Sequence, residues 1–333
     1  VTDEPQTRSR ENPERAMILV HGRDFKPAAE ELLDLSMAAI SAGLERDCPE
    51  TLIEFHAARK RLAWYGDISN AWLRESGEHY DEKLDIGDRR RALQELRLLQ
   101  KRKHFGMSRY ERLPGKTALR EFAADVAAPV LGSLGLGAAL IGRVAADVNE
   151  YWDAATDFGA RIRERVRTEI ASTLEQGHEV MLVSHGTGCI VTYDVLWQMS
   201  HHPDFAPRYE QMKVDRWLTL GAPLGDTTVR RRVFGAQSKG RGRYPTNVLT
   251  WHNVSAEDDY LCHDNTLADD YREMLNLRLV SSIRDYRIYN MAVRYGKSNP
   301  HSSLGYLIHP RVTKIVADWL RSDDATTLPP GTS

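Results

Sequence analysis

Residues 178–200, HEVMLVSHGTGCIVTYDVLWQMS, hold a spacing from which acyl-transfer chemistry is built. Ser184-His185-Gly186-Thr187-Gly188 has the small–x–centre–x–small form of a nucleophile elbow, the strand-to-helix turn that presents an attacking side chain at its centre. Small flanks are needed because the strained turn leaves no room for bulk two residues to either side. Ser184 and Gly188 supply them, so the centre is Gly186, which has no side chain to attack with. Sliding the frame restores nothing. Centring on Ser184 makes Leu182 and Gly186 the flanks and starts the turn inside the strand. Thr187 falls one place past the centre, where an elbow contributes its backbone N–H, and Cys189 reads as a small core residue on the first helical turn. Two glycines between a strand and a helix also suit any α/β crossover, so the rest of the chain has to decide.

The elements around this stretch alternate. Val180–Val183 is a short apolar run with β-branched ends, as in a strand buried on both faces, and Cys189–Met199 follows as a helix without a breaker. Ala16–Val20 is a first buried strand that runs straight into His21-Gly22-Arg23. A helix is expected over Pro27–Leu44 and a second strand over Thr51–Ala58. Phe158–Leu174 is an amphipathic helix with Gly177 as its stop signal. Strands are expected at Trp217–Leu220, Val248–Val254 and Tyr286–Val293, and a last helix at Val312–Leu320. The pattern predicts a three-layer α/β fold, with a mostly parallel sheet covered by helices on both faces.

From about residue 60 to 156 the rhythm breaks. The stretch is charged and helix-rich at first, shows no convincing strand, and reads as a helical cap inserted over the sheet. Within it, Val126–Gly142 is uncharged and rich in Gly and Ala. Seventeen residues with a proline make a poor membrane span, so a cap lining a pocket is expected, with contact to a membrane surface as the weaker alternative. Gly137-x-x-x-x-Gly142-Arg143 lacks the Lys and Ser or Thr of a phosphate loop. The basic loop from Arg230 to Arg243 is read as solvated, or else as a platform for an anionic head group.

Bulk composition excludes several classes. The 333 residues are 41% apolar and 28% charged, ordinary for a globular chain, with a formal net charge of −2 that gives no argument for a nucleic-acid partner. Cys48, Cys189 and Cys262 are odd in number and far apart, so neither a disulfide framework nor a cysteine metal site is expected; no metal or cofactor is called for, and a cytoplasmic location fits. Residues 1–15 carry no apolar signal region and are expected to be a disordered lead into a domain spanning 16–321, with 322–333 as a disordered tail.

With these elements in place, the chain resembles the α/β-hydrolase superfamily, and within it bacterial lipase- and esterase-like members, over most of residues 16–321 apart from the insertion. The resemblance implies a nucleophile, an acid and a His in that order, each after a strand. It puts the acid at Asp259, with Asp258 in reserve, within Ser255-Ala256-Glu257-Asp258-Asp259-Tyr260-Leu261. It puts the His at His301 in Asn299-Pro300-His301-Ser302-Ser303. His21-Gly22-Arg23 resembles the oxyanion turn, which implies the N–H groups of Arg23 and Thr187 as donors. The departure is Gly186, because no acyl-enzyme can form without a nucleophile there. Three readings stay open: a non-catalytic binder of a small acyl or ester-like molecule, an enzyme using His301 and Asp259 as general base, or a Gly variant of an ordinary serine esterase.

Overall fold

Six parallel strands carry the molecule: β1 (Arg15–Val20), β2 (Arg59–Ala63), β3 (Glu179–His185), β4 (Val214–Leu220), β5 (Val248–Ala256) and β6 (Ser282–Ile288), side by side in the order β2-β1-β3-β4-β5-β6. They come from a computed structural model that describes residues 14–115, 149–259, 261–262 and 266–321. The inner strands are apolar on both faces, because both faces are covered. Met17, Leu19, Met181, Val183, Leu218 and Leu220 enter one core; Ile18, Val20, Val180, Leu182, Trp217 and Trp251 enter the other. Helix α1 (Ala29–Asp47) and the terminal helix Pro310–Leu320 close the first face, and Phe158–Glu175 with Gly188–His201 close the second. This is the three-layer α/β arrangement the alternation predicts.

The strand order places the crevice. From β1 the chain crosses to β2 on one flank, and β3 then joins β1 on the other. Open α/β sheets bind ligands at such a switch point, outside the carboxyl ends of the strands. Val20 pairs with Ser184, so His21 and His185 leave the sheet side by side.

Two strand boundaries differ from expectation. Thr51–Ala58 is not a strand: Pro49–Thr51 form a single 3-10 turn and Leu52–Ala57 form helix α2. Thr51, Phe55 and Ala58 are buried at helical spacing, whereas Ile53, which the alternating reading would bury, is 80% exposed. The second strand lies just beyond, in RKRLA, a charged edge strand of the kind that resists pairing with another chain. The last sheet strand ends at Ile288, and Val293–Arg294 instead begins a hairpin with Lys297–Ser298. Its turn residues, Tyr295 and Gly296, both have positive φ, as a two-residue type I′ turn requires.

The expected insertion accordingly begins after Ala63. Its described part is helical: α3 (Gly66–Glu75) lies against Phe158–Glu175, and α4 (Glu82–Arg97) packs on α1. Val126–Gly142 lies outside the described residues, as do 1–13 and 322–333. Arg15, placed in the lead by the sequence reading, belongs to β1, where it pairs with Glu179 at 2.9 Å and bonds the Leu320 carbonyl. No helix among the described residues is long and apolar enough to cross a membrane.

Candidate functional site

At the end of β3 the chain turns through Gly186, whose φ of +56° is left-handed and disfavours any residue with a Cβ. Its N–H donates to the Leu220 carbonyl at 2.9 Å, tying the turn to the end of β4. Gly188 must be small because a Cβ there would overlap the His21 carbonyl oxygen. The frame of the turn is therefore the one the small flanks define. The discarded nucleophiles have structural work. Ser184 Oγ lies 2.8 Å from Thr192 Oγ1 and accepts the Trp217 indole N–H at 3.0 Å. Cys189 is fully buried, and burial pushes its thiol far above the usual range.

Asp259 and His301 meet beside this turn. His301 Nδ1 lies 2.9 and 3.0 Å from the two Asp259 oxygens. Tyr306 O–H donates to Oδ2 at 2.6 Å and the Leu261 N–H to Oδ1 at 3.1 Å, so the carboxylate, 2% exposed, is held from three sides. An acceptor at Nδ1 keeps the proton there and leaves Nε2 as the basic nitrogen. Nε2 points at Gly186: a Cβ on that residue would sit 2.8 Å from it. The His301 imidazole thus covers the space a side chain at position 186 would fill. Gly221, at φ +57°, passes beneath the pair; a Cβ there would come within 2.7 Å of Asp259 Oδ2 and 3.1 Å of His301 Nδ1. Asp258, the reserve acid, also has positive φ and accepts from Tyr110 O–H at 3.3 Å, so Asp259 is the carboxylate on the imidazole.

The loop bearing His301 is fixed by side chains the sequence reading did not single out. Asn290 Nδ2 donates to the Pro300 and Ser302 carbonyls, both at 2.9 Å, and His185 Nε2 donates to the His301 carbonyl at 2.9 Å. The two imidazole rings lie 4.5 Å apart between centroids. Burial holds His185 well below the usual histidine range, so it stays neutral there.

The turn after β1 shows why a His precedes its glycine. Tyr65 N–H donates to His21 Nε2 at 3.1 Å, so Nδ1 carries the proton and donates to the Gly22 carbonyl at 2.8 Å. Burial keeps His21 neutral, its pKa lowered to about 3. In a trans peptide the carbonyl and the next N–H point opposite ways. Fixing Gly22 C=O therefore aims the Arg23 N–H at the elbow, where it donates to Thr187 Oγ1 at 2.9 Å. The two expected donors are brought together, but the Thr187 hydroxyl takes up the Arg23 N–H. Thr187 N–H makes no hydrogen bond among the described residues.

Two hollows flank this turn. One, of about 490 Å³ with its mouth included, is apolar; Tyr65, Trp72, Phe158 and Ile190 line it, with Arg23 and Thr187 at its edge. The other is polar and contains His301 and His185. Arg230, in the basic loop, pairs with Asp270, and the Arg232 guanidinium lies 4.8 Å over Trp152, so neither is simply solvated. Among the described residues no group of His, Cys, Asp and Glu could hold a metal ion. Set against protein-family models, curated proteins and solved structures, the chain matches none of them.

Proposed function

We propose that the chain is an α/β-hydrolase-type protein that binds a small acyl or ester-like molecule and hydrolyses it by direct attack of water, with His301 as general base. The observation that carries this is the His301–Asp259–Tyr306 hydrogen-bond chain, with Asp259 buried between the two and His301 Nε2 turned to the Gly186 backbone at the switch point. Water gives a proton to Nε2 as its oxygen bonds to the acyl carbon. The tetrahedral oxyanion takes the N–H of Thr187 and competes with Thr187 Oγ1 for that of Arg23. Collapse breaks the ester C–O bond, and the proton passes from Nε2 to the leaving alkoxide, releasing acid and alcohol. Asp259 holds the tautomer and stabilises the imidazolium. A positioned base contributes about 10²- to 10⁴-fold, so turnover is slow compared with a serine esterase. A cytoplasmic location belongs to the same reading, in keeping with three buried free thiols.

Two contacts favour a second reading, binding without turnover: Thr187 Oγ1 occupies the Arg23 N–H, and the His301 ring covers Gly186. Intact-mass measurement during hydrolysis of an excess of 4-nitrophenyl acetate tests the proposed route. Product is expected to accumulate while the protein mass stays unchanged and a fluorophosphonate leaves no label. An acetyl adduct that forms and decays with turnover would overturn direct water attack, and the absence of any protein-dependent product would leave the binding reading.

A further inference from the structure

The polar hollow holds more than the imidazoles. It encloses about 820 Å³ with its mouth included, and Lys26, Arg89 and Arg294 form a cationic wall. Lys26 is 8% exposed, and its ammonium donates to the Arg23 and Asp24 carbonyls. It forms no ion pair among the described residues. The nearby Asp24 carboxylate is largely solvated and turned toward Arg23, at 3.6 Å. Asp85 and Asp88 grip the two arginines from behind: Asp85 takes Arg89 Nε at 2.7 Å and Arg294 Nη2 at 2.6 Å, and Asp88 takes Arg294 Nε. Neither Nη of Arg89, nor Nη1 of Arg294, makes a hydrogen bond among the described residues. Arg23, Lys26, Arg89 and Arg294 against Asp24, Asp85 and Asp88 leave one positive charge in excess.

An ammonium buried with no carboxylate in contact is costly, and burial pushes Lys26 down to about 8, with Asp24 and Asp85 offsetting only part of the cost. A fold tolerates that cost where a ligand brings the missing charge. We propose that this hollow binds the carboxylate or phosphate group of the molecule that His301 acts on, which makes the substrate class an anionic acyl compound. Guanidinium edges suit paired oxygens, and the lysine adds a point charge. Arg23 and Asp24 border both hollows, so the charged end lies on the His301 side and an apolar end on the other. The inference rests on the hydrolytic reading only for what the anion is attached to.

The test is calorimetric titration of the full chain with succinate and, separately, with inorganic phosphate, at matched ionic strength and with ethanolamine as the cationic control. Saturable binding of at least one anion is expected, weakened tenfold or more by Lys26→Met and largely kept by Lys26→Arg. The responding anion identifies the group as carboxylate or phosphate. Melting of Lys26→Met is expected at or above the parent temperature, because an unpaired buried charge is removed, so lost binding is not lost folding. No saturable binding of either anion, or undiminished binding by a folded Lys26→Met, overturns the proposal. Since no turnover is read, an inert protein that still binds anion through Lys26 would sink the hydrolytic reading alone.

Discussion

Gly186→Ser is expected to turn a protein that fluorophosphonate does not label into one that it does, and to raise hydrolysis of activated short-chain esters by about 10²-fold. Asp259, His301 and the Thr187 N–H already surround the turn, so on the proposed reading the substitution supplies the missing nucleophile. Two effects oppose it. A residue with a Cβ at φ +56° carries about 1–2 kcal/mol of strain, and that Cβ meets His301 Nε2 at 2.8 Å. The ring must retreat while keeping Asp259, which holds the gain well below the roughly 10⁶-fold lost when an established triad loses its serine. Labelling and turnover of the variant, with His301→Ala in the same background, decide the matter. A folded variant that is neither labelled nor faster would show that the elbow geometry cannot carry a nucleophile. Strong His301-dependent activity would favour the reading of a serine esterase with glycine in its nucleophile's place.

The largest stability effect is expected at Arg294. Its guanidinium joins the hairpin at Val293–Arg294 to α4 through Asp85 and Asp88, all three side chains being less than a tenth exposed. Tyr80 O–H and Tyr295 O–H complete the shell of Asp85 at 3.0 and 3.2 Å. Burial works against ionising Asp85, but Arg89 and Arg294 outweigh it and hold the carboxyl below its usual range. In the parent this linkage contributes stability at neutral pH that is lost as pH falls through the lowered folded pKa. Arg294→Met leaves Asp88 without its cation and Asp85 with only Arg89, a loss of about 3–5 kcal/mol. Its pH dependence is expected to weaken, because one of the two cations that hold Asp85 low is gone and less stability is left to lose as pH falls through the carboxyl range. Urea unfolding of both proteins at pH 7 and pH 4 checks the size and the weaker pH dependence. A loss under 1 kcal/mol at both would mean that the cluster is solvated and not an anchor.

Legibility in the sequence followed burial. Strands β1, β3 and β4 are marked by apolar runs because helices cover both their faces. The edge strand RKRLA was invisible for the opposite reason: an edge faces solvent, and Arg59, Lys60 and Arg61 can lie along it. In Thr51–Ala58 a short mixed segment fits either period, and only the outward Ile53 shows the helical one. The same contrast holds in the site. Gly186, Asp259 and His301 could be read from their order after successive strands. Lys26 and Arg294 could not, because their meaning lies in a cavity wall built from segments more than 200 residues apart. Tyr306 sits only five residues beyond His301, but nothing local says that its hydroxyl closes on Asp259. That the Thr187 hydroxyl would take the Arg23 N–H is likewise a fact of two turns meeting, not of either motif.

On the proposed route His301 works as a base on bound water, and the most direct measurement of this is the rate of 4-nitrophenyl acetate hydrolysis by the parent and by His301→Ala, purified identically. Saturable turnover in the parent and a fall of about 10²-fold or more in the variant, with an unchanged melting temperature, are expected. Equal rates in two equally folded proteins would contradict the account.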